Sequence, residues 1–166
     1  MNIAFTGHRP NKLGHDYDLK SPLVMKIRGE IIRHLASLGY KLGKIDSIIV
    51  GMALGIDTLA AEISIDLKIP FIAAIPFNGQ HLKWPFKSRE RYLNLLSKAA
   101  EIVNVSGADY YKPEFMQQRN IWMVDQLTGK NDYLIAVHDG SSGGTFNCVQ
   151  YATGKVKIIT INPKKL

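Results

Sequence analysis

Cysteine is nearly absent from this 166-residue chain: Cys148 stands alone, so no disulfide can form within it and a reducing, cytoplasmic compartment is expected. The same scarcity excludes cysteine-rich metal centres. The five histidines, His8, His15, His34, His81 and His138, never form an HxxxH pair, so neither a metal nor another cofactor is expected. No apolar run approaches the roughly 18 residues needed to cross a membrane. The first residues, Met-Asn-Ile-Ala-Phe-Thr-Gly, lack a basic stretch followed by an apolar one, so no signal peptide is expected. Acidic residues are also sparse, 14 against 21 lysines and arginines, which leaves a net charge of +7. That sign favours anionic partners such as nucleotides, nucleic acid or other phosphate ligands. The basic residues are scattered from Lys12 to Lys165, as on an ordinary solvated surface, so charge alone does not indicate DNA binding.

No repeat, low-complexity tract or Gly/Ser linker divides the sequence, and one domain over residues 1–166 is expected. What the chain does contain is an alternation. Short apolar runs at Asn2–Thr6, Ser47–Gly51, Phe71–Ile75, Ile102–Val105, Tyr133–Val137 and Val156–Ile161 have the length of buried strands. Between them lie segments of helical period. Leu23, Ile27, Ile31, Leu35 and Leu38 make one apolar stripe, with Gly39 expected to stop it. Ile56–Leu67, Lys87–Ala100, Glu114–Leu127 and Thr145–Ala152 are the other expected helices. About six strands alternating with five helices predict an α/β fold: a Rossmann-like, mostly parallel sheet between two helical layers. Ligands of such sheets bind beyond the carboxyl ends of the strands.

Three strand-to-helix turns at that edge have unusual composition. The first is Thr6-Gly7-His8-Arg9-Pro10, where glycine permits close backbone approach and Arg9 offers a fork of donors to phosphate or carboxylate. His8 can donate, accept or shuttle a proton. The second is Gly51-Met52-Ala53-Leu54-Gly55-Ile56-Asp57, a glycine-rich turn opening a helix and hence an expected anion site. Asp57 either caps that helix, faces a ribose hydroxyl or orients a nearby arginine. The third is His138-Asp139-Gly140-Ser141-Ser142-Gly143-Gly144-Thr145, where glycines, hydroxyls and a helix start again coincide. Trp84, in the loop after the third strand, either stacks on a base or packs that loop onto the core. Arg119 and Asn120 lie on the fourth helix within reach of a ligand, whereas Met123 and Val124 read as core. Cys148 reads as a small buried hydrophobe.

These turns, together with Ile75-Pro76-Phe77, Gln80, Trp84 and Arg119-Asn120-Ile121-Trp122-Met123-Val124-Asp125, occur in an order that resembles the YpsA-like branch of the SLOG superfamily over nearly the whole chain. The resemblance implies a Rossmann-like nucleotide-binding domain, of a kind present in small bacterial and phage proteins, that commonly forms homodimers or higher oligomers. On that reading Thr6, Gly7, His8, Arg9, Gly51, Gly55, Asp57, Trp84, Arg119, Asn120, Gly143, Gly144 and Thr145 would surround a nucleotide or an NAD- or ADP-ribose-type ligand. The protein would act as a sensor, sequestering protein or regulator. The LONELY GUY phosphoribohydrolases within SLOG suggest an alternative, an N-glycosidase acting on a nucleoside monophosphate. Their Gly-Gly-x-Gly-Thr-x-x-Glu turn ends in a glutamate, whereas the position three after Thr145 is Cys148. Glycosidic cleavage wants a positioned carboxylate, and Asp57, Glu114 or Asp139, with His8 near the leaving group, would have to supply it. The DNA-processing relatives suggest a third reading, single-stranded nucleic-acid binding.

Overall fold

A computed structural model describes residues 1–13 and 20–166; His15 lies outside them. Six strands form one sheet: β1 (Asn2–Gly7), β2 (Ser47–Val50), β3 (Phe71–Ile75), β4 (Glu101–Asn104), β5 (Tyr133–Val137) and β6 (Lys157–Ile161). Their order is β4-β3-β2-β1-β5-β6, and every pairing is parallel, from Ile3 against Ile48 to Val137 against Ile161. Five α-helices connect them: α1 (Pro22–Leu42), α2 (Ile56–Asp66), α3 (Phe86–Leu96), α4 (Pro113–Asp125) and α5 (Gly144–Ala152). No helix among the described residues is long and apolar enough to cross a membrane.

The alternation of side chains along each strand builds two cores. Ile3, Phe5, Ile48, Val50, Phe71, Ala73, Ile135 and Val137 point to one face, where they meet Ile27, Ile31 and Leu35 of α1, Leu59 and Ile63 of α2 and Tyr92 of α3. Ala4, Ile49, Ala74 and Leu134 point to the other, against Met123 and Val124 of α4 and Cys148 and Ala152 of α5. A sheet buried on both sides explains why the strands read as continuous apolar runs.

The helix boundaries follow local chemistry. Ser21 caps α1 by accepting from the Val24 N–H at 3.3 Å, and Pro22 occupies the first turn, where no N–H is needed. Gly39 does not end this helix as expected. The chain stays helical to Leu42 and stops at Gly43, whose φ of 95° only glycine adopts freely. Helix α3 ends at Leu96, four residues before its expected end.

Candidate functional site

The strand order places the site. From β1 the chain steps outward through β2 and β3 to β4, then returns through α4 to β5 on the opposite side of β1. Crossovers therefore leave β1 and β5 toward opposite faces, and a crevice opens beyond their carboxyl ends, at the topological switch point. A hollow of about 170 Å³ lies there, lined by His8, Arg9, Asn11 and Lys12 from the first turn and by Ser141, Ser142, Gly143, Thr145 and Phe146 from the last. Gly143 precedes α5 with no side chain capping the helix, so the first N–H groups of α5 and its dipole face this region. Lys12 spans the two turns, donating to the Ser141 hydroxyl at 2.8 Å and to the Ser142 carbonyl at 3.0 Å.

His8 and Asp139 hold the walls together. The Asp139 N–H donates to His8 Nε2 at 3.0 Å, and the Asp139 carboxylate lies 2.9 Å from the same nitrogen. Burial pushes His8 below its usual value against the pull of Asp139. The Asp139 carboxylate also receives Lys164 at 2.7 Å and the Ser141 N–H at 3.0 Å. These donors hold it well below the usual carboxylate range. Asp139 is thereby fixed as an anion, the wrong state for a general acid at neutral pH. His138 accepts from the Gly140 N–H at 3.2 Å and completes the bracing of this turn.

Beneath the crevice is a second cluster, closed to solvent. Arg119 donates to the Gly51 carbonyl and, at 3.3 Å, to the Asp57 carboxylate, which also accepts from the Ala53 N–H at 3.2 Å. Asp57 thus orients an arginine, one of the three roles its position allowed. Burial pushes Asp57 upward and Arg119 downward, and their mutual attraction opposes both shifts. Cys148 lies alongside with its thiol against the Thr6 hydroxyl, and burial pushes the thiol up to about 11. It is an unreactive core residue at neutral pH. Asn120, next along α4, donates to the Gly144 carbonyl at 3.3 Å, so α4 links the turn after β2 to the start of α5.

The expected ligand residues therefore divide into groups. His8, Arg9, Gly143 and Thr145 line the hollow, and Asn120 and Gly144 border it. Thr6, Asp57 and Arg119 are buried below it. The space a side chain would need at Gly7 is filled by Ile56, at Gly51 by Arg119, and at Gly55 by the backbone of His8. These three glycines admit close packing of the protein on itself. Trp84 packs edge-to-face on Tyr92, with centroids 5.3 Å apart, and lines a separate groove after β3. Glu114 is exposed in the first turn of α4. Asn11, Lys12 and Phe146 were not expected at the site. By composition Lys12 belongs only to a scattered positive surface, because its pairing with Ser141 is long-range. Among the described residues no three His, Cys, Asp or Glu side chains gather as a metal ion would require.

The YpsA family model, described as the YspA SLOG family, matches residues 3–161. The chain belongs to this SLOG family. It is 34% identical over 149 residues to the uncharacterized SPbeta prophage-derived protein YoqJ of Bacillus subtilis (strain 168), covering 81% of this chain and 84% of YoqJ. A UPF0398 protein of Bacillus cereus (strain B4264) is 27% identical over 148 residues, covering 86% of this chain and 77% of the relative. Among solved structures, DNA processing protein A from Streptococcus pneumoniae superposes with a TM-score of 0.49 at 14% identity, over 95% of this chain and 58% of that one.

Proposed function

We propose that this SLOG protein binds a nucleotide or nucleotide-derived small molecule, whose phosphate sits between the turns after β1 and β5. It holds the ligand intact, as a sensor, sequestering protein or regulator does. The observation that carries this reading is the hollow at the switch point. It brings two cationic side chains, Arg9 and Lys12, two serines and the uncapped start of α5 to one place. Those groups neutralise and hydrogen-bond an oxyanion without moving the backbone. A volume of about 170 Å³ admits a phosphate and part of a sugar, so the remainder of a nucleotide extends along the rim. Binding is favoured over glycosidic cleavage because the candidate carboxylates are engaged or displaced: Asp57 pairs with Arg119, Asp139 with Lys164 and the Ser141 N–H, and Glu114 is exposed and does not line the hollow.

Calorimetric titration with a panel of nucleoside monophosphates, ADP-ribose and NAD tests the proposal. At least one should bind, and Arg9→Ala or Lys12→Ala should each weaken it tenfold or more, about 1.4 kcal/mol. Chromatography after prolonged incubation should find no free base. Unaltered affinity in both variants would remove the phosphate from this hollow, and base release would make the protein a glycosidase.

A further inference from the structure

A second cavity lies on the same edge of the sheet, past β3 and β4. It measures about 460 Å³, and its walls include Phe77, Leu82, Trp84, Tyr110, Tyr111 and Met116. The two loops that form it are pinned together. The Asn78 N–H donates to the Ala108 carbonyl at 2.9 Å, and the Asn78 side chain donates to Asp109 at 2.7 Å. Phe77 and Tyr111 meet edge-on with centroids 5.8 Å apart, while Tyr110 and Tyr111 remain 57% and 60% exposed. So much aromatic surface facing one groove is a stacking platform for a flat ring.

Gln80 gives the groove a polar handle. It is only 7% exposed, and its amide nitrogen donates to the Tyr92 hydroxyl at 3.3 Å. Its Oε1 is buried without a hydrogen-bond partner. A buried acceptor left open is costly, and a ligand N–H would satisfy it. Helix α4 runs between the groove and the hollow. Met116 is in the groove wall, and Asn120, one turn further on the same face, bonds to Gly144 beside the phosphate hollow.

We infer that this aromatic groove is a nucleobase subsite, taking a planar heterocycle that carries an N–H donor for Gln80. The inference rests on the phosphate reading above, and the test separates the two. In a Trp122→Phe background Trp84 is the only tryptophan, and its emission reports on the groove. AMP should quench that emission. Ribose 5-phosphate, which has no base, should bind in the calorimeter and leave the emission unchanged. Tyr111→Ala, at an exposed position, should weaken AMP about tenfold and leave ribose 5-phosphate unaffected. Equal affinity for AMP and ribose 5-phosphate with unquenched Trp84 would overturn the base subsite while sparing the phosphate site. Adenosine that binds and quenches while ribose 5-phosphate fails to bind would do the reverse. Failure of all three to bind would overturn the base subsite, and failure of the whole nucleotide panel as well would overturn the phosphate site.

Discussion

Asp57 and Arg119 form an ion pair with both side chains less than a tenth exposed, directly below the crevice. A pair in that position adds little relative to an apolar substitute, but removing one member strands the other without water. Asp57→Ala should therefore lower the unfolding free energy by about 3–5 kcal/mol, measured by urea denaturation. Gly51 belongs to the same unit, because a β-carbon there would occupy the space of the Arg119 guanidinium. Gly51→Ala should be strongly destabilising alone and much less so once Asp57 is already alanine, since both changes dislodge one arginine. Additive losses would show that the two positions act separately. Residue identities in this turn were legible in the sequence, but their use was not. Glycine at 51 is needed for room, while the left-handed backbone falls on the buried Met52, with φ of 57°. Which partner fills the space at a glycine is a tertiary fact. Arg119 is 68 residues from Gly51, and no local pattern links them.

At the scale of elements, hydrophobic period predicted every strand and every α-helix among the described residues, and most ends fall within a residue or two because the four inner strands are buried on both faces, while the edge strands β4 and β6 are partly exposed. The errors have local causes. Gly39 looked like a helix stop, yet the apolar stripe of α1 was already packed, and one glycine inside a long, well-anchored helix costs little. That tolerance gives a direct test. Nothing lies within 4 Å of where a β-carbon at Gly29 or Gly39 would stand, and both are helical. Gly29→Ala and Gly39→Ala should each stabilise the protein by about 0.4–1 kcal/mol, chiefly by restricting the unfolded chain. A lowered thermal midpoint for either would mean that α1 bends or packs differently there. The hollow was legible at this scale only in part. The glycines and hydroxyls of the turn after β5 were evident, whereas Lys12 reaches the site only after β1 and β5 become neighbours.

For the whole molecule, the pairing of β1 with β5 is the step that alternation alone did not specify, and it decides which turns share a crevice. The same global packing sets the response to acid. Burial pushes His8, His34, His81 and His138 below the usual histidine value near 6.5. Positive neighbours add to this, Arg33 for His34 and Arg89 for His81, while Asp139 opposes it for His8 and His138. Each histidine takes up a proton in the unfolded chain before it does so in the folded one. Between the folded value and about 6.5 the unfolded state holds more protons, so stability declines as pH falls through that window. A net charge of +7 before any histidine is protonated reinforces the trend through self-repulsion. The thermal midpoint should fall steadily from pH 7.5 to 5.5. His8→Asn, which removes one titrating ring without adding charge, should flatten that slope by no more than one proton's worth. A midpoint that stays level across the window would mean that these rings are hydrated and free to charge in the folded protein, against the packing that encloses His8 between β1 and the turn after β5.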